Sequence, residues 1–451
     1  MPTMGQRQSN GTATSNASNS ASNDSTATGA GRTAARIDIR VITDDELPAW
    51  GQALNAGFMR PKGDGDADWL RQRFELGRAL GAFDGERCVG TFRSFAKELT
   101  LPGGATAVAD AVTNVTVSAS HRRRGLLTRM MRQDLDAAAA RGEAFAMLIA
   151  AEFGIYGRYG FGPASAQHGK LIDKQVAGGI RVPAEAEGGS IELLTMAEYA
   201  KIGAELHDRF RRTRPGAVGR DTAVWRIRSG ESPLPGTSFK EPLVALYRDP
   251  SGTPAGLLSY VVSDDEWRNW LPKDVVLKVK DYFAVDWPAE AALWRFALEM
   301  DWIQRIDVWD IAPDSPLPLA LHNQRACVDN NDSTGDFLWV RILDVPQAFS
   351  ARTYDAPGRV VFEVADAMGY AAGSYQLDVA EDGTGRCTPA DPAAEVDFAL
   401  DVSDLAAVYF GHQPLERLQA AGLLTERRAG AVRAAQRILR TDRAPWCPDV
   451  F

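Results

Sequence analysis

The sequence predicts an α/β and α+β chain, with two similar mixed domains in tandem and a third of different pattern. Three observations predict it. Strands and amphipathic helices are interleaved from 36 to 165, a strand–helix–strand order returns between 166 and 340, and strands followed by a run of helices fill 341–451. The length of 451 residues supports this division, because it exceeds what one ordinary core accommodates.

Residues 1–35 are Ser, Thr, Asn, Ala and Gly with almost no apolar bulk. Such a segment buries too little surface to offset its conformational entropy, so a disordered tail is expected, with structure beginning near Ile37. In the first domain IDIRVI alternates as a strand, and DDELPAWGQALNAGF has helical spacing with an acidic first turn. GAFDGERCVGTFRSFAKELTLPG reads as two strands joined at Asp84-Gly85. ADAVTNVTV is a further strand. LLTRMMRQDLDAAAARG is a helix with Leu127, Met131, Leu135 and Ala138 on one face and Gly142 closing it. AFAMLIAA is wholly apolar, as a strand buried on both faces requires.

In the central domain VVLKVKDYFAVDW reads as a strand, PAEAALWRFALEM as a helix opened by proline, and RIDVWDIA as a strand. In the last domain RVVFEV, SYQLDV and EVDFAL are strands, with turns at 355–358 and 382–383. Helices follow at DVSDLAAVYFG, PLERLQAAG and ERRAGAVRAAQRILRT.

Composition narrows the function. Apolar residues are 45% and charged residues 24% of the chain, and the net charge is −9, which argues against a general nucleic-acid or membrane-surface role. No apolar run approaches the roughly 18 residues of a membrane span. Cys88, Cys327, Cys387 and Cys447 are scattered without CxxC spacing, so no metal site or disulfide framework is expected, and a reducing, cytoplasmic setting fits.

The most informative stretch is VTVSASHRRRG at 115–125. A run of arginines is commonly a solvated turn. Here a strand precedes it and an amphipathic helix follows, whose first-turn N–H groups are unpaired and electropositive. Arg122, Arg123 and Arg124 add bidentate donors, Gly125 permits close backbone approach, and a pyrophosphate is the natural guest. GxxxxGK[ST] is absent, and no GxGxxG follows a strand, so a triphosphate P-loop and a dinucleotide fingerprint are excluded.

Arg122-x-x-Gly125 after V-x-V resembles the acetyl-CoA loop, Q/R-x-x-G-x-G/A, of the GCN5-related N-acetyltransferases (GNAT), with Leu127 in place of the final small residue. VTVSASHRRRGLL, IAAEFGIYGRYGFGPA, GRCTPADPAAEVDF, DLAAVYFG and the last phenylalanine together resemble the Eis (enhanced intracellular survival) family of actinobacterial acetyltransferases over 37–451. The resemblance implies a GNAT domain at 36–165, a central GNAT-like domain at 166–340 and a sterol-carrier-protein-like domain at 341–451. It also implies a homo-hexamer, acetyl-CoA as co-substrate, and acetylation of amines on aminoglycosides or other polycationic molecules. Protein lysines are the alternative substrate. From another class, a lipid-binding or scaffold protein rests on the third domain, and RRRG, Tyr156 and Phe451 speak against it.

By the same resemblance, backbone N–H groups of Val115 and Val117, after Asn114, hold the acetyl carbonyl. Arg122, Arg123, Arg124 and Gly125, with the amides of Leu126 and Leu127, hold the pyrophosphate. Tyr156 is the general acid, while Tyr159 and Phe161 read as aromatic packing. The carboxylate of Phe451 reaches the first domain as base, stiffened by Pro445 and Pro448 and anchored by Trp446. The glycines at 154, 157, 160 and 162 are expected to admit the cofactor. His121, beside the loop, is wrongly placed to reach an amine. Ala151 stands where the family often has Ser before the acidic Glu152. Val450 stands where an acid would help bind polycations, and Asp449 is expected to compensate. No arginine–glycine loop joins strand and helix at KVKDYFAVDWPAEAALW, so no CoA is expected in the central domain.

Overall fold

The computed structural model describes residues 37–60, 66–234, 237–263, 267–268, 271–272 and 275–451; the tail expected at 1–35 lies outside them. Residues from Ile37 onward form one compact unit. Strand β1 (Asp38–Val41) leads through a capped turn to helix α1 (Leu47–Gly57) and a short helix α2 (Asp66–Arg71). The hairpin read at Asp84-Gly85 joins β2 (Ala79–Asp84) to the long β3 (Arg87–Thr100), and β4 (Thr106–Val117) returns antiparallel to it. Helix α3 (Leu126–Ala140) crosses to β5 (Phe145–Ile149), parallel to β4. A single turn α4 (Phe153–Tyr156) and the short β6 (Gly162–Pro163) complete the stretch.

The second sheet is built from β7 (Ala166–Asp173), β8 (Ser190–Leu193), β9 (Leu243–Arg248), β10 (Pro254–Val262), β13 (Val276–Ala284), β14 (Arg305–Val308) and β15 (Cys327–Asp336), with β11 (Trp267–Arg268) and β12 (Leu271–Pro272) paired apart from it. Its order is β15-β7-β14-β13-β10-β9-β8, and only β13 and β14 run parallel. Strand β16 (Leu338–Ile342) leaves this domain and inserts between β5 and β6, so the first sheet reads β1-β2-β3-β4-β5-β16-β6. The division drawn at 340 therefore falls inside a strand. All five residues of β16 are buried in the first sheet, which pairs them to β5 from Leu338–Ile149 to Ile342–Phe145.

The third sheet, β19-β18-β17-β20-β21, comprises β17 (Gly358–Ala365), β18 (Gly373–Val379), β19 (Gly385–Pro389), β20 (Phe398–Asp401) and β21 (Leu424–Glu426). Its core holds Phe349, Phe362, Phe398, Tyr375 and Tyr409 and continues into Ala109, Ala111, Phe145 and Val340 of the first sheet. Rings of Phe362 and Phe398 stack 5.8 Å apart, so aromatic packing fills this interior.

Helix α3 buries Leu126, Met130, Met131, Leu135 and Ala138 against the first sheet. It also buries Asp134, which its apolar pattern did not suggest. Ser94 of β3 donates to the Asp134 carboxylate at 2.7 Å, giving the buried oxygen a partner.

Candidate active site

The strand β4 is the centre of the site. It pairs with β5 only at Ala109–Phe145, Asp110–Ala146 and Ala111–Met147, and from Val112 onward it diverges while still bonded to β3. The β3 register steps from Thr91–Thr116 to Arg93–Thr113, so Asn114 and Val115 bulge opposite Phe92. Asn114 takes φ of 55°, a conformation asparagine tolerates better than most residues, and Thr91 Oγ1 donates to its carbonyl at 2.8 Å. Side chains of Val115 and Val117 pack against the apolar cluster that includes Tyr156, Leu126 and Met130. Their backbone edge toward β5 carries no strand among the described residues. Packing and backbone donation are thus compatible at both valines.

The loop between β4 and α3 contains two left-handed residues, Arg123 (φ 63°) and Gly125 (φ 72°). A side chain at Gly125 would meet nothing within 4 Å, so its backbone conformation is what demands glycine. Gly125 caps α3 without a side chain, and the amides from Arg124 to Thr128 find no acceptor among the described residues. Arg122, Arg123 and Arg124 are exposed and pair with no carboxylate among those residues. Successive free amides at a helix start next to three exposed arginines are donors of the kind an anion takes, which fits the pyrophosphate of a coenzyme A thioester. His121 is buried, its Nε2 3.2 Å from Asp84 and its Nδ1 2.9 Å from Ser120, which pins the loop to the end of β2.

The two neighbouring tyrosines differ in what their hydroxyls do. Tyr159 is tied to Thr128 of α3 at 3.1 Å, whereas the Tyr156 hydroxyl has no partner among the described residues. Burial pushes Tyr156 up to about 12, with the charges of Tyr159 and Glu152 adding to it, so the phenol keeps its proton at neutral pH. Of the nearby glycines, 154 and 157 open to space. Gly160 and Gly162 do not serve a cofactor: a Cβ there would strike Arg341 and Ser403, so packing against β16 and the third domain explains them.

Phe451 reaches the splay from the other side of the sheet. Val112 faces α3, while Ala111 and Thr113 face the opposite way by strand alternation. Thr113 Oγ1 donates to the main-chain oxygen of Phe451 at 3.3 Å, and the Phe451 ring stands edge-on to Phe95 at 6.3 Å. Tyr156 and Phe451 thus approach the β4–β5 opening from opposite faces.

The segment leading to Phe451 is held by the central domain. Trp446 donates to Asp310 at 2.7 Å and packs on Tyr282 and Phe210. Asp449, expected to face a cationic substrate, is instead buried and already paired. Arg220 Nε lies 2.8 Å and Arg228 3.0 Å from its carboxylate, and His207 lies 3.5 Å away. Burial raises the Asp449 carboxyl, but the Arg220 charge and the His207 and Arg228 contacts overcome this and hold it well below the carboxylate range. Val450 is exposed. Residues 217–219 run beside the end of β3, with Gly219 N–H donating to Glu98 at 2.9 Å and Arg211 pairing with Glu98 at 2.7 Å. The central domain therefore flanks the face that Phe451 enters.

A bulged, splayed strand pair followed by an amide-lined helix start defines the acyl-CoA-binding fold of a GCN5-related N-acetyltransferase. GNAT acetyltransferase family models match 38–164 and 216–342, and a sterol carrier protein model matches 345–448. The chain is 44% identical to an uncharacterized N-acetyltransferase of Streptomyces avermitilis, covering 92% of this chain and 99% of that one. It is 32% identical to N-acetyltransferase Eis of Mycobacterium tuberculosis over 76% of this chain and 81% of Eis. The crystal structure of Eis1 from Mycobacterium abscessus superposes with a TM-score of 0.77 at 30% identity, covering 92% of this chain and all of that one. The chain belongs to the Eis family of N-acetyltransferases.

Proposed function

We propose that the first domain transfers acetyl directly from acetyl-CoA to a primary amine. The observation that carries this reading is the splay of β4 from β5, with a free phenol on one face and the Phe451 main chain on the other. Arg122, Arg123 and Arg124, with the amides of Gly125, Leu126 and Leu127, hold the pyrophosphate. Backbone N–H groups of Val115 and Val117 polarise the acetyl carbonyl as negative charge develops on its oxygen. The Phe451 carboxylate takes a proton from the incoming ammonium. The freed nitrogen bonds to the carbonyl carbon as the carbon–sulfur bond breaks. Tyr156 gives its proton to the leaving sulfur and is reprotonated by the proton the new amide sheds, so one proton reaches solvent per turnover.

The central domain shapes the amine side of the cleft and holds the segment that bears Phe451, and the hexamer implied by the family follows the same proposal. Aromatic filling of the third domain disfavours a lipid carrier as the main role. Thiol release from acetyl-CoA, measured over aminoglycosides, polyamines, amino acids and lysine peptides, tests the assignment. Amine-dependent release with one N-acetyl product per thiol is expected. Release with no amine acetylated would overturn it.

A further inference from the structure

On β3, Arg93, Phe95 and Lys97 alternate onto the face that Phe451 occupies, and Arg93 pairs across the sheet with Thr113. Lys97 is 8% exposed, yet it makes no hydrogen bond or ion pair among the described residues. Its ammonium sits 5.7 Å from the ring centres of both Phe95 and Phe451. Arg93 lies over Phe74 and Phe95, its Nε is buried without a partner, and its remaining contacts are long, 3.5 Å to Asn114 and 3.4 Å to the carbonyl of Arg73. Among the described residues, neither cation has a carboxylate within ion-pair distance.

Arg93 and Lys97 share this face, and Arg73 adds a third positive charge near Arg93. Asp221 exerts its charge on all three, but its carboxylate already caps a helix by accepting from Val224. Asp449 is neutralised by Arg220 and Arg228. Asp449 and Asp221 thus act on Lys97 only through space, without an ion pair to it among the described residues. Burying a cation without a counter-ion is costly, and Lys97 shows the strain as a proton affinity lowered by burial. A polycation entering here meets like charge.

Resting on the acetyltransferase reading above, we infer that the amine substrate also carries a carboxylate, which docks on Lys97 and Arg93 while its amine faces the β4–β5 opening. Phe95 and Phe451 beside these cations suit an apolar or aromatic group carried on the same substrate. The positive neighbours also lower the proton affinity of the bound ammonium, which favours the neutral nucleophile.

Matched amines test this: tryptophan against tryptamine, and lysine against cadaverine, each assayed for kcat/KM with the full chain. Preference for the amino acid by about tenfold or more is expected, from one charge-assisted contact. Lys97→Met should bring that ratio toward one, chiefly through KM, and Arg93→Met serves as an independent variant. Equal or better turnover of the decarboxylated partners by the unaltered protein would overturn the inference while leaving acetyl transfer intact. A preference unmoved in both variants would overturn the assignment of Lys97 and Arg93. Acetylation of no amine at all would instead remove the underlying acetyltransferase reading.

Discussion

The first and central domains share a fold but end their key helices differently. In the first, α3 starts at bare Gly125 with its amides free. In the central domain, the helix Trp287–Glu299 starts at Asp286, whose carboxylate accepts from Ala289 N–H at 2.9 Å, and Pro288 has no N–H to give. The strands differ likewise. β13 pairs with β14 only as far as Val279–Val308, and beyond that point Trp446 lies on Tyr282 and bonds Asp310. One domain leaves its helix end and strand edge open to a ligand, while the other closes both with its own side chains. Shared architecture is thus neutral, and the open donors are what the proposed site rests on.

The largest expected effect sharpens the chemistry assigned to the open domain. Tyr156→Phe removes the free hydroxyl and keeps the ring, so kcat should fall by about 10²- to 10⁴-fold with acetyl-CoA affinity held. In the unaltered protein, no alkaline limb from Tyr156 should appear in a kcat profile run up to about pH 10, the range where a free tyrosine would titrate. A Tyr156→Phe variant with full kcat would break the comparison at its functional end.

Next comes the link between the two domains. Asp449→Ala leaves the buried Arg220 and Arg228 sharing Asp281 as their remaining carboxylate among the described residues, and should cost about 3 kcal/mol of stability by thermal or urea denaturation. Activity should fall along with it as Phe451 loses its tether. Because the folded Asp449 carboxyl is held below its unfolded value, its contribution is present above the unfolded pKa of about 4 and is lost as pH falls toward the folded one. The variant should therefore differ most from the parent near neutrality and least in acid.

The smallest effect concerns the closed domain. Asp286→Ala removes one helix cap and should cost about 1 kcal/mol in denaturation, without creating a second coenzyme site, because Trp446 still fills the strand opening. A second equivalent of bound coenzyme in this variant would show that Asp286 alone closes the domain.

How much of this was legible in the sequence follows from how local each feature is. The arginine–glycine loop was readable because a strand, an anion-suited turn and a helix lie consecutively at 115–140. Tyr156 and Tyr159 were indistinguishable by spacing and differ through Thr128, thirty-one residues from Tyr159. Gly160 and Gly162 read as cofactor clearance because their real neighbours, Arg341 and Ser403, lie far along the chain. The transfer of β16 into the first sheet is a long-range pairing that its local pattern does not encode. Asp449 looked available because its partners Arg220 and Arg228 are more than two hundred residues away. Arg93 and Lys97 were hidden in an ordinary alternating strand until Phe451 was seen against the same face.

The central claim is that the open helix end of the first domain, and not that of the central domain, holds the coenzyme. Calorimetric titration of the full chain with acetyl-CoA tests it most directly, repeated with Arg122, Arg123 and Arg124 replaced by alanine and separately with Gly125→Val. One equivalent per chain is predicted, weakened by at least about tenfold in both variants. Two equivalents, or one equivalent with unchanged affinity in both variants, would contradict it.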